Sequence, residues 1–332
     1  VIVSRALLLP LACAALAGAG ALAQAPAPQV AAAPAAAAGS FLREEDYRVA
    51  GIVYRLGLAG RAYCPETLPL TGLSFHHLAE YRVQDRPEVI ARYGLDRGPG
   101  VLSVQPDSPA ARAGLAAGDA LVAINGHAFP SETAMAAEAD PDRWRPRTAA
   151  SETLYEDQLR LGPARIEAVR AGRPFSVTLE AIAGCPARGR LARSSQANAF
   201  ADGRYAIMTT RLLPFFRNDD ELAVALAHEL GHNILRHPQQ LEAQGVPHGM
   251  FRHIGRNARL VRATEIEADR LAVRLLAAAG YDLDAIIPFW RRLESRPDSL
   301  LMIISANPGL RARVRNIEEV LAEVRRPAPA SR

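Results

Sequence analysis

Apolar and polar positions divide the chain into stretches of different character. Ala6 to Ala21 is almost unbroken apolar sequence behind Arg5, and residues 25–39 are mostly alanine and proline. Such an Ala/Pro tract cannot build a packed core and reads as a linker. Short apolar strings follow. Gly100-Val101-Leu102-Ser103-Val104 and Leu121-Val122-Ala123-Ile124 predict strands, with Asn125-Gly126 supplying the positive-φ positions of a tight turn. Ile166 to Val169 and Phe175 to Leu179 predict a second hairpin around Ala171-Gly172. The Ala-, Glu- and Arg-rich sequence between these hairpins predicts a helix plus an insertion. Further on, Ser195 to Thr210 predicts an edge strand. Asn218 and Glu221 then stand as a capping box before Leu222, Val224, Ala225, Leu226 and Leu230, a pattern that predicts a buried helix. Thr264 to Arg270 lies on a second helical stretch. The fold class expected is α+β: a small β-rich domain, then a mostly helical domain with a short sheet.

The chain has 332 residues, 49% of them hydrophobic, which is ample for two domain cores. A formal charge of +4 arises without a single lysine, from arginines scattered among acidic residues. That pattern argues against nucleic acid as a partner and leaves weak attraction to anionic membrane surfaces open. After the first apolar stretch no run of about 20 uninterrupted apolar residues occurs, so no membrane span is expected.

The strongest chemical signal is His228-Glu229-Leu230-Gly231-His232. Residues four apart share a helix face, so both imidazoles can reach one metal ion. Glu229 then sits beside the open coordination position, where a carboxylate takes a proton from metal-activated water. A third ligand is still needed. His237 falls one residue short of the spacing a metzincin would use, where Pro238 stands, and reads as a helix-end or supporting residue. Thr264-Glu265-Ile266-Glu267-Ala268-Asp269-Arg270 is the better source, because Glu265 and Asp269 lie one turn apart and can both point at the first helix. Glu267 is rotated away and reads as a solvated charge.

With these residues in place, the chain from about 186 to 325 resembles the M48 family of zinc metallopeptidases. The likeness rests on Asn198-Ala199-Phe200-Ala201, the HELGH helix, Glu265 to Arg270, and Ala279-Gly280-Tyr281-Asp282. It implies one zinc ion per chain on His228, His232 and Glu265, with Glu229 as general base. Asp269 would orient a ligand histidine, and Asn198, Ala199 and Phe200 would form the strand that pairs with substrate. Family members often carry His-Pro near the C-terminal end, where this chain has Asn307-Pro308. For the oxyanion, His248, His253 and Tyr281 are the candidates. Pro238 to Arg262 reads either as a lid or as a plain connector.

The ordered series Gly100 to Val104, Ser108-Pro109-Ala110, Ala113-Gly114-Leu115, Gly118-Asp119 and Leu121 to Gly126 resembles a bacterial PDZ domain. It implies a groove for C-terminal peptide ligands, with Gly98, Gly100 and Val101 as the loop that takes the carboxylate. The organisation expected is a signal peptide over 1–23, a linker over 24–40, and an N-terminal region over 41–185 with a PDZ core at about 80–182. A peptidase domain over 186–326 and a tail over 327–332 complete it. Ala21-Leu22-Ala23 is a small-x-small cleavage site, so the protein is expected to be exported to the periplasm or secreted. Removing the signal takes Cys13 away and leaves Cys64 and Cys185, an even pair that suggests a disulfide. The function expected is a zinc endopeptidase of the cell envelope acting on polypeptides. The alternative is a chaperone-like scaffold that keeps the peptidase fold with latent activity.

Overall fold

The computed structural model describes residues 44–247, 255–294 and 310–326. The signal, linker and tail expected from sequence lie outside them. Helix α1 (Glu44–Ala59) turns Val49, Ile52, Val53 and Leu56 to one side, the i, i+3, i+4, i+7 stripe of a core-facing helix. That stripe is buried in the C-terminal core rather than against the sheet that follows it. The N-terminal region is therefore not one unit: its first helix belongs to the later domain.

After α1 the chain passes Cys64, and strand β1 (Leu68–Leu70) pairs antiparallel with residues 182–184. A six-stranded sheet comes next. Its members are β2 (Leu73–His76), β3 (Gly100–Val104), β4 (Ala120–Ile124), the short β5 (His127–Ala128), β6 (Ala164–Arg170) and β7 (Arg173–Leu179). The order is β2-β3-β4-β6-β7, with β5 paired to β4, so β2 is an edge and β3 an inner strand. Helix α2 (Arg86–Tyr93) leads into β3, and α3 (Pro109–Arg112) follows it. Ser108 caps α3, accepting the Ala111 amide at 3.2 Å, and Pro109 fills the first turn where a missing N–H costs nothing. The β6–β7 turn needs two left-handed residues and uses Ala171 (φ 48°) and Gly172 (φ 77°). Helix α4 (Pro141–Arg160) covers the sheet with Tyr155 and Leu159.

Strand β8 (Ile182–Gly184) is the partner of β1, and the Cys64–Cys185 disulfide closes beside it. A second sheet then forms from β9 (Gly189–Ala192), β10 (Ala199–Ala201) and β11 (Ala206–Thr209) in the order β10-β11-β9. Strand β10 is an edge. Among the described residues, the helices α5 (Asp219–Ile234), α6 (His237–Ala243), α7 (Gly255–Ala278), α8 (Ile286–Glu294) and α9 (Leu310–Val324) complete the domain. Asn218 caps α5 by accepting the Glu221 amide at 3.0 Å, while Glu221 takes the Arg217 amide at 2.8 Å and pairs with Arg292. Among the described residues no helix is long and apolar enough to cross a membrane.

The close contact of α5 with α7 is what assembles the site. A Cβ at Gly231 would come within 3.0 Å of the Ala268 backbone oxygen. Only a glycine here, facing a small alanine, lets the two helices approach so closely. Glu265 and Asp269, flanking Ala268, are thereby delivered to the face that carries His228 and His232.

Candidate metal centre

The Nε2 atoms of His228 and His232 stand 3.2 Å apart. Glu265 completes the triangle, with Oε2 at 3.3 Å from His228 Nε2 and Oε1 at 3.7 Å from His232 Nε2. Ligands about 2.05 Å from a tetrahedral zinc ion would be separated by about 3.3 Å. Among the described residues this is the group of His, Cys, Asp and Glu that could hold a metal ion. The donor set therefore fits zinc in number, chemistry and spacing.

Electrostatics point the same way. Burial lowers His228, yet the Asp269 and Glu265 carboxylates outweigh it and push the imidazole up to about 10. Burial would raise Glu265, but His232 and His228 hold it well below the usual carboxylate range. His232, buried and flanked by other cations, is lowered to about 3. His232 is thus held neutral and Glu265 ionised, the states in which each can bind a cation. Burial pushes the Glu229 carboxyl up to about 7, partly opposed by His228.

Each of the two histidines is held from behind. His228 Nδ1 lies 3.0 Å from Asp269 Oδ1, and Asp269 is gripped by Arg313 through Nε and Nη2 at 2.7 and 2.8 Å. The Arg313 guanidinium also lies over the Trp290 ring, 4.3 Å from its centroid, and its Nη1 stands 3.3 Å from Glu265 Oε2. His232 Nδ1 is 3.0 Å from His237 Nδ1, whose Nε2 reaches Glu267 Oε2 at 3.1 Å. With His232 Nε2 turned to the ligand triangle, its Nδ1–H donates to His237. The His237 Nε2–H then donates to Glu267. Glu267, read from sequence as a solvated charge, is half in solvent yet ends this chain of hydrogen bonds.

Strand β10 carries Ala199 and Phe200, with Asn198 just before it, and packs against α5. Among the described residues its one sheet neighbour is β11. The Asn198 amide donates to Thr209 Oγ1 at 2.7 Å, which fixes the start of the strand. In the segment expected as lid or connector, the described residues include α6 at one end and the first turns of α7 at the other. His248 and His253 lie outside the described residues, as do Asn307 and Pro308. Tyr281 lies away from the ligands: it stacks under Arg55, and the next amide, of Asp282, donates to Asp220 in the first turn of α5.

Gly98, Gly100 and Val101 do not form a carboxylate loop. All three are buried, and β3 is an inner strand. The Val101 amide is already spent on Asp119 O at 2.7 Å, and a Cβ at Gly98 would strike Leu121 O. A PDZ-type groove needs an edge strand beside a helix. Here that edge is β2, facing α4, and it is closed at two points. Tyr155 Oη donates to Thr71 Oγ1 at 2.8 Å, and its ring meets Phe75 edge-on with centroids 4.9 Å apart.

Sequence reasoning missed Arg313 altogether. A signal existed: Arg313, Ile317, Val320 and Leu321 follow helical spacing and are all buried, so an arginine occupies a core position of α9. A buried arginine is rarely unpaired, and that position asks for a carboxylate partner.

Comparison with known proteins agrees with this geometry. The PDZ domain model matches residues 100–139, and that of Peptidase family M48 matches residues 179–259 and 246–321. The mitochondrial metalloendopeptidase OMA1 of Schizosaccharomyces pombe is 27% identical over 153 residues, covering 40% of this chain. The match spans 45% of that relative's own length.

Proposed function

We propose that this chain, whose residues 179–321 form a peptidase family M48 domain behind a PDZ domain, is a zinc-dependent endopeptidase. The observation that carries the reading is the His228, His232 and Glu265 triangle with Glu229 beside it on one buried helix. A zinc ion held by these three residues would lower the pKa of water bound to it from 15.7 towards about 7 and polarise the scissile carbonyl. Glu229 accepts the proton of the attacking water and returns it to the leaving amine. Asp269 and His237 hold the two imidazoles in the tautomer that leaves Nε2 free for the metal. An extended polypeptide adds to the open edge of β10 through main-chain hydrogen bonds, which favours chain segments without fixed structure as substrates.

The cell envelope is the proposed location. The signal-like residues 1–23 and the Cys64–Cys185 disulfide, a bond that persists in oxidising compartments, support it. Recruitment of substrate C-termini by the PDZ domain would require Tyr155 to part from Thr71.

Zinc content and casein cleavage of residues 24–332, beside Glu229→Gln, test the reading. One zinc per chain in both proteins is expected, with cleavage falling at least about 10²-fold in the variant. Cleavage retained by Glu229→Gln would refute the mechanism. Zinc without cleavage by either protein would favour the scaffold, and no zinc would remove the basis of the reading.

A further inference from the structure

The outer face of α4 is engaged by the peptidase domain. Glu156 accepts Arg188 Nε and Nη2 at 2.6 and 2.5 Å. One turn earlier, Glu152 is buried and accepts Arg204 through Nε and Nη2 at 3.1 and 3.0 Å. The Tyr205 hydroxyl also donates to Glu152, and Arg190 Nη2 and His77 Nε2 each stand 3.4 Å from it. Arg204 and Tyr205 belong to the turn joining β10 to β11, where Asp202 Oδ1 accepts both their amides, at 2.8 and 2.7 Å. The same turn is held from the other side. The Gly203 amide donates to Asn233 Oδ1 at 2.8 Å, and Asn233 directly follows His232 on α5. A single tight turn is therefore pinned between the PDZ helix and the metal-binding helix.

A three-residue edge strand with one neighbour has little order of its own. Its place beside the metal ligands depends on what fixes its turn. Glu152 is suited to that task. A buried carboxylate gathers two arginine contacts and a phenol from the peptidase side, and leaving those arginines unpaired would be costly. We propose that Glu152 is a positioning residue for substrate binding: through Arg204 and Tyr205 it sets β10 against α5, so the PDZ domain shapes the peptidase cleft without touching the peptide. The inference rests on the reading of β10 as the substrate strand of a peptidase.

The test uses the full chain with Glu152→Gln, Arg204→Gln and the double variant. Zinc content, steady-state kinetics on an extended peptide, and hydrogen exchange over residues 199–209 are measured. Expected are unchanged zinc, KM raised about tenfold with kcat little altered, and exchange at β10 and β11 about tenfold faster. The double variant should be no worse than Glu152→Gln alone, because that change already removes the Arg204 contact. Unchanged exchange at 199–209 in the single variants would overturn the proposal. So would exchange that quickens equally across β3, β4 and α5, since that marks a general loss of stability. A wild-type chain that binds zinc but cleaves nothing would sink the peptidase reading, while the exchange result would still uphold or overturn the clamp.

Discussion

Arg313 and Asp269, 44 residues apart in the chain, meet in a buried ion pair with Nε–Oδ2 at 2.7 Å and Nη2–Oδ1 at 2.8 Å. Asp269 Oδ1 is the same oxygen that faces His228 Nδ1 at 3.0 Å. The arginine on α9 thus aims His228 on α5 through a carboxylate on α7. Arg313→Met strips the buried Asp269 carboxylate of its arginine, leaving only His228 beside it, at an expected cost of about 3–5 kcal/mol in denaturant unfolding. Asp269→Asn keeps the shape but weakens the hold on His228, and zinc affinity by chelator competition should fall about 10–100-fold.

His237 offers the matching experiment on the other ligand. It is fully buried, and its contact with His232 is the one that sets that imidazole's tautomer. His237→Ala is expected to weaken zinc about 10–100-fold, again by chelator competition. Glu267→Gln should change it far less, because that side chain is 58% exposed and water can replace the carboxylate.

His77 makes stability depend on pH. It is wholly buried, with Nδ1 at 2.6 Å from Glu132 Oε1 and Nε2 at 3.4 Å from Glu152 Oε1. Burial lowers its pKa, but the two carboxylates, helped by Glu80, raise it to about 9. Its stabilisation is therefore complete below the unfolded value near 6.5 and is lost as pH rises through 9, on the order of 3 kcal/mol in total. Neighbouring His76, lowered to about 3 by burial and by His77, acts in reverse and loses stability as pH falls below 6.5. Glu152, held well below the usual range by His77 and Arg190 despite its burial, adds to that acid-side loss. Arg190 keeps its charge throughout. Unfolding free energy should peak near pH 6.5, and His77→Gln should flatten its decline between pH 6.5 and 9.

Much of the site was legible in the sequence because its ligands are local. The HELGH segment brings His228, Glu229 and His232 together by helix geometry alone. Glu265 and Asp269 announce themselves by one-turn spacing on a second helix. What escaped depends on contacts between distant segments. Arg313 is one of several arginines on α9, and only the register of Ile317 and Val320 marks it as buried. The carboxylate loop was misplaced for a similar reason. Gly98-Pro99-Gly100 has the composition of an exposed turn, but sheet order decides exposure, and β2 covers it from the edge. Helix α1 precedes the first sheet in the chain, yet its stripe of Val49, Ile52, Val53 and Leu56 completes the core around α5 and α7.

The Cys64–Cys185 bond spans 121 positions, with Cα atoms 5.5 Å apart. Cys64→Ser with Cys185→Ser should cost roughly 2–5 kcal/mol in unfolding free energy, measured beside the oxidised protein.

The same bond changes what cleavage means for this molecule. Both cysteines sit where the chain leaves and re-enters the C-terminal core, so residues 65–184 form a covalently closed loop inserted between α1 and the rest of that core. A break in any peptide bond of the loop, including one made by a second copy of the protein, leaves a single molecule of unchanged composition apart from one added water. Fragments would appear only on reducing gels. Separation of the two pieces would then be governed by thiol chemistry, not by proteolysis.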